Sequence, residues 1–142
     1  MIYFKYLYYI LNHKWDVGIE CIKLKLYWHA ITHDLSKFYP SEFKAYAKHF
    51  YAGPNRSLFE TAWCLHQHRN KHHWEYWVKA DGHTVPMPEQ YVKQMVADWK
   101  GMARNKKFDP AGIFYIKNKY KMKLHKQTKA CILKLLYEEI YD

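Results

Sequence analysis

The chain has 142 residues, 49% of them hydrophobic, 25% charged and 19% aromatic, which is one domain's worth of sequence and enough to bury a single core. Its apolar N-terminus is interrupted by Lys5 and followed by His13, Lys14 and Asp16, which argues against a signal peptide and against a membrane span of about 20 apolar residues. The formal net charge of +10 fits either a lysine-rich solvated surface or a field that draws in polyanions such as nucleotides or nucleic acid, and charge alone does not separate the two.

The first periodic segment runs from about Ile2 to Leu26. Tyr6, Ile10, His13 and Val17 fall at i, i+4, i+7 and i+11 on one face, which turns His13 inward. Leu26, Ala30, His33 and Lys37 continue a similar stripe, so His33 is expected to face the same interior. Pro40 marks a break, a helix follows from Ser41 through Glu42 and Phe43 to about His49, and Ala52-Gly53-Pro54-Asn55 is the clearest loop. The segment from Ser57 to Trp77 contains His66, His68, His72 and His73, with Arg69 and Asn70 among them. Read as one continuous helix, it puts His66, Arg69 and His73 on one face and His68 and His72 on another, so both faces cannot serve one site; a break near Asn70 would change which faces align. His68 is read as solvated. His66 and the pair His72-His73, flanked by Trp63, Trp74 and Trp77, are read as buried and in contact with metal or phosphate.

A loop from about Lys79 to Pro88 leads into a helix at about Glu89. There Tyr91, Met95, Asp98 and Met102 form one stripe, and Val92, Val96, Trp99 and Ala103 the adjoining one. Burying the unpaired carboxylate of Asp98 costs several kcal/mol, so it is expected to be paired, protonated or bound to metal, with Arg104 a candidate partner for it or for a substrate phosphate. A helix from about Pro110 to Tyr120 with Asp109 as N-cap and a last one from about Gln127 to Tyr141 complete the chain. The whole predicts an all-α fold, a compact single-domain bundle of about six to seven helices over residues 1–142. Most aromatic rings fall at helical spacing and are read as core. Cys21, Cys64 and Cys131 are odd in number and form no Cys-x-x-Cys pair, which predicts reduced thiols in a cytoplasmic protein. No Gly-rich phosphate loop, Ser-His-Asp signature or internal repeat is present.

The chemistry centres on Thr32-His33-Asp34-Leu35-Ser36-Lys37. Adjacent imidazole and carboxylate groups can bind one metal ion from two sides, and both suit Zn, Mn or Fe. An inward His13, then His33-Asp34, then a histidine cluster, then an isolated Asp98 resembles the HD superfamily of metal-dependent phosphohydrolases. That resemblance implies a helical bundle of the HD-domain type in which His13, His33, Asp34 and Asp98 bind one metal. Members with two metals carry a lysine three residues after the aspartate and extra histidines before the last one; Lys37, His66 and the pair His72-His73 fit, with Asp34 as bridging carboxylate. The chain is more closely similar to short, uncharacterised HD-like proteins of bacteria and their viruses. The similarity rests on His33-Asp34-Leu35-Ser36-Lys37-Phe38, on Leu65-His66-Gln67 with Arg69-Asn70, on His72-His73-Trp74-Glu75-Tyr76-Trp77, on Met87-Pro88-Glu89 and on Met95-Val96-Ala97-Asp98-Trp99. The spacing from His33-Asp34 to the histidine cluster is shorter than in well-known two-metal members, and no Gly-Tyr-Pro follows the histidine pair.

The resemblance implies hydrolysis of a phosphate ester; the positive charge and the tryptophan and tyrosine rings suit a nucleotide as substrate, with nucleic acid as a further candidate partner. One or two divalent transition metals, Mn, Fe or Zn with Mg as a further candidate, would be held by His13, His33, Asp34, Asp98, His66 and His73. Asp34, Lys37 and His72 are the expected catalytic groups, His72 as proton donor to the leaving oxygen; Lys37, Arg69, Asn70 and Arg104 are the expected substrate ligands. Two rival readings use the same sequence. An HD-like di-iron oxygenase needs the same ligands, and a basic nucleic-acid-binding or inhibitory protein needs only the scaffold and its charge. The oligomeric state is left open, and no membrane partner is expected.

Overall fold

Helix α1 (Ile2–Lys23) lies against three other helices because one of its faces is a run of large side chains at helical spacing. Tyr6, Ile10, His13, Val17 and Cys21 are all buried on that face. Full burial of Ile10 and Val17 stabilises the fold by about 1.5–3 kcal/mol each. The computed structural model describes residues 1–141, and among them there are eight α-helices and no strand beyond one isolated antiparallel bridge between Val78 and Thr84.

After α1 come α2 (Tyr27–Thr32), α3 (Pro40–Tyr51), α4 (Arg56–Arg69), α5 (Glu89–Ala103), α6 (Ala111–Asn118), α7 (Lys126–Leu135) and α8 (Tyr137–Tyr141), with 3-10 turns at Leu35–Phe38, Trp74–Trp77 and Lys119–Lys121. The all-α expectation holds, in one compact unit. Helix α1 packs on α2, α3 and α5. Tyr6 and Ile10 share a cluster with Ala45, Tyr46 and Ala62 of α3 and α4. Val17 and Cys21 meet Ala97 of α5. A third cluster joins α5, α6 and α7 through Val92, Val96, Tyr115 and Ile132. No helix of the described residues is long and apolar enough to cross a membrane.

Several boundaries differ from the periodicity. Helix α1 stops at Lys23 rather than Leu26, and α2 stops at Thr32 because His33 is extended and Asp34 is left-handed, φ 55° and ψ 30°. The Lys14 ammonium ties this turn by donating to the carbonyls of Ile31 and His33, the last free acceptors of α2. Pro40 occupies the first turn of α3, where its missing N–H costs nothing. Asn55 caps α4, its Oδ1 accepting from the Leu58 amide at 2.9 Å. Helix α4 ends at Arg69 with Asn70 extended, so the segment expected to run on to Trp77 is a helix, a bend and a 3-10 turn. Asp109 does not cap α6, which starts after Pro110; its carboxylate pairs with Lys117 at 2.9 Å. The last helix is divided at Leu136, a buried core residue, into α7 and α8.

Candidate metal centre

Four pieces of chain bring their polar side chains to one buried point. His13 comes from α1, His33 and Asp34 from the turn after α2, His66 from α4 with His72 and His73 from the bend after it, and Asp98 from α5. Helix periodicity aims His13 and Asp98 inward, and the tight crossing of α1 and α5 brings them together, His13 Nε2 lying 3.2 Å from Asp98 Oδ1. The left-handed backbone at Asp34 reverses the chain, so that His33 and Asp34 point the same way although they are neighbours.

Asp34 is the hub. Its Oδ2 lies 3.3 Å from His33 Nε2, 3.7 Å from His13 Nε2 and 2.5 Å from Lys37 Nζ. Its Oδ1 faces the other way, 3.4 Å from His66 Nε2 and 3.3 Å from His72 Nε2. Burial works against the charge of this carboxylate, but His33, Lys37 and His66 hold its pKa well below the usual range. Burial likewise opposes the charge of Lys37, and Asp34 and Asp98 more than offset it, keeping the ammonium protonated. Burial keeps His33 and His73 neutral, with pKa values well below 6.5.

A protein that buries so many polar atoms normally hydrogen-bonds them. Here Asp34 Oδ1, Asp98 Oδ1, His72 Nε2 and His73 Nε2 have no hydrogen-bond partner, and Asp34 Oδ2 has the Lys37 ammonium. Ligand atoms of His13, His33 and Asp34 lie within 4.8 Å of one another, and so do those of Asp34, His66, His72 and His73. Four ligands at about 2.0–2.1 Å from a tetrahedral ion stand about 3.3 Å apart, close to the separations measured around Asp34. The donor set of imidazole nitrogens and carboxylate oxygens suits Zn, Mn or Fe. The residues present fit one or two divalent ions, and the unpaired atoms are the ones such ions would satisfy.

Behind the ligand atoms is a hydrogen-bonded support. His66 Nδ1 lies 2.9 Å from Glu42 Oε2, and Ser36 Oγ donates to the same oxygen at 3.0 Å. Arg69 donates to Glu42 Oε1 at 2.8 Å, and Asn70 Nδ2 donates to Ser36 Oγ and to the His66 carbonyl, both at 2.8 Å. On the other side His33 Nδ1 meets His29 Nε2 at 3.2 Å. Glu42 and His29 carry no signal in the sequence: Glu42 reads as an acidic residue in a helix first turn, and His29 as a lone surface histidine.

Of the two alternatives for the histidine segment the chain takes the break at Asn70, and His66, His72 and His73 all reach one site while His68 stays exposed. His72, expected as a proton donor apart from the ligands, sits between Asp34 and Asp98 Oδ2, 3.8 Å from the latter. Arg69 and Asn70, expected on substrate, are instead the struts beneath His66. Arg104 does not reach Asp98 or the cavity; it bonds Asp16 Oδ1 at 3.3 Å and Glu20 Oε1 at 3.1 Å. Lys37 lines a cavity of about 610 Å³ that also takes in His13, His66, His72, His73 and Asp98 of the cluster. Trp63, Trp74, Trp99 and Phe108 line its walls, and Lys106 and Lys107 also face it.

Residues 2–138 match the model of a family of unknown function (DUF5662). The chain belongs to that family. Neither curated proteins nor solved structures gave a match. The family carries no assigned activity, so the function has to be argued from the site.

Proposed function

We propose that this member of the family is a metal-dependent phosphohydrolase of the HD type, acting on a phosphate ester and in the first instance on a nucleotide. The observation that carries the reading is the set of four buried, unpartnered oxygens and nitrogens on Asp34, His72, His73 and Asp98. The resemblance of the His13, His33-Asp34, Asp98 order to the HD pattern points the same way. His13, His33, Asp34 and Asp98 would hold one ion, and Asp34, His66, His72 and His73 a second, with Asp34 offering one oxygen to each group. Divalent ions so held supply Lewis acidity toward water and toward a phosphoryl oxygen.

The chain's own groups do the rest. Lys37 Nζ faces the cavity and neutralises charge that builds on the phosphoryl oxygens. Lys106 and Lys107 draw the anion in. The aromatic walls exclude bulk water and give a nucleobase surfaces to stack on. Glu42 and His29 fix the rings of His66 and His33 from behind.

Elemental analysis of the purified chain beside an Asp34→Ala variant, with phosphate release from a panel of nucleotides and simple phosphate esters, tests the reading. Stoichiometric Mn, Fe or Zn that disappears in the variant, together with phosphate release that disappears with it, is expected. Metal without phosphate release but with oxygen consumption would transfer the site to the oxygenase reading. No metal in either protein, and no thermal stabilisation on adding Mn, Zn or Fe, would remove the hydrolase altogether.

A further inference from the structure

Helix α1 is apolar on the wrong side as well as the right one. Its buried face is Tyr6, Ile10, His13, Val17 and Cys21. Directly opposite stand Phe4, Tyr8, Leu11, Trp15 and Ile22, and Phe4, Tyr8 and Trp15 are 78%, 72% and 73% exposed. The spacing runs four, three, four and then seven residues, with Gly18 filling the interval, so the stripe is a coiled-coil seam about three heptads long rather than a scatter of surface side chains. A helix that is apolar all round is normally covered on all sides.

The apolar surface does not stop at α1. The Lys14 ammonium donates to the carbonyl of Ile31, which sets α2 along one border of the stripe, and Ile31 and Trp28 there are themselves exposed. Together these side chains offer on the order of 700 Å² of apolar surface. A soluble monomer's largest patch is about 300–600 Å², and a standard interface takes about 800 Å² from each partner.

We propose that this face is covered by a second copy of the chain, α1 packing antiparallel on α1 with Leu11 near the two-fold axis. Charge selects this arrangement. Lys5 and Asp16 lie on the same border of the stripe, and with Leu11 on the axis Lys5 of one copy stands within reach of Asp16 of the other, whose Oδ1 also accepts from Arg104. A parallel pair would set this border against the neutral one and leave Lys5 with no acid across the seam. The other border is neutral, because Lys14 is turned away to the α2 carbonyls, and there Trp28 and Ile31 of the two copies meet.

Sedimentation velocity of the full chain at micromolar concentration tests this, with Leu11→Glu as the disrupting variant. The expected result is a dimer of the 17.4 kDa chain that becomes a monomer in the variant, with helical circular dichroism unchanged because Leu11 is exposed. In a Cys64→Ser background, which removes the exposed native thiol, Leu11→Cys is expected to form an interchain disulfide under air oxidation and Phe4→Cys is not. A monomeric wild type, a dimer that survives Leu11→Glu, or equal cross-linking at both cysteines would each overturn the proposal. Monomers that co-sediment with phosphatidylserine vesicles would overturn it in favour of a lipid-facing surface.

Discussion

Glu42 Oε2 lies 2.9 Å from Nδ1 of His66, and the opposite nitrogen of the same ring points at Asp34 Oδ1 from 3.4 Å. A buried carboxylate thus fixes which nitrogen of His66 is free to face the centre, and it raises the basicity of that nitrogen. Arg69 and Ser36 satisfy the remaining capacity of the carboxylate, so the support is closed and needs no water. Glu42→Gln keeps the volume and removes the charge. It is expected to lower metal affinity about 10–100-fold, measured by chelator competition, while the melting temperature of the metal-free protein changes much less than in Glu42→Ala. An unchanged affinity would show that His66 does not ligate.

Lys37→Met separates holding the metal from using it. Lys37 bonds Asp34 but offers no lone pair while protonated, so metal content is expected to persist. Turnover is expected to drop about 100-fold or more, because the cavity ammonium beside Asp34 is gone. Full metal with full turnover in the variant would show that the phosphoryl charge is met elsewhere.

Gly101 sits where α5 crosses α1. A Cβ there would lie 2.5 Å from Val17 Cγ2 and 2.7 Å from Val17 Cα, and backbone cannot step aside as a flexible side chain can. Gly101→Ala is therefore expected to destabilise the fold by about 1–3 kcal/mol in urea unfolding. The crossing also sets Asp98 against His13, each about one turn before the contact, so the same substitution is expected to weaken metal binding without touching a ligand.

The Tyr46 hydroxyl is buried without a partner, and burial, followed by the charges of Glu42 and Asp34, pushes its ionisation above the ordinary value of 10.0. Its folded pKa is raised, so its contribution to stability is whole below pH 10 and is lost as pH rises, because the unfolded chain releases the proton first. Tyr46→Phe removes both the unpaired hydroxyl and this titration. Unfolding at pH 8 is expected to show the variant equal to or up to about 1 kcal/mol more stable than wild type. At about pH 11 the gap is expected to widen in the variant's favour. A gap that narrows would contradict the sign.

Much of the centre could be read in advance because it lies on regular helices. His13 is inward by its i, i+4, i+7 company, and Asp98 is conspicuous as a carboxylate inside an apolar stripe. The His33-Asp34 pair and Lys37 were legible from residue types and spacing. What failed was what depended on irregular backbone or on partners far along the chain. Apolar periodicity in Ser57–Trp77 could not decide between a continuous helix and a break near Asn70, and the break alone lets His72 and His73 join His66. Arg69 and Arg104 read as substrate ligands, Arg104 also as a partner for Asp98, yet each is consumed by other carboxylates, Glu42 being 27 residues from Arg69 and Glu20 being 84 from Arg104.

By itself the sequence determined the helical class, the inward faces of α1 and α5, and the inventory of imidazoles and carboxylates that makes metal chemistry the leading reading. These follow from side-chain periodicity, which is a local property. Tertiary structure decided that the inventory meets at Asp34, that Glu42 and His29 stand behind it, and that one face of α1 is left without cover. Those outcomes hang on a left-handed residue at Asp34, a helix end at Arg69 and the crossing at Gly101. Each is settled by which distant groups must share the same space, and local propensity is silent on that.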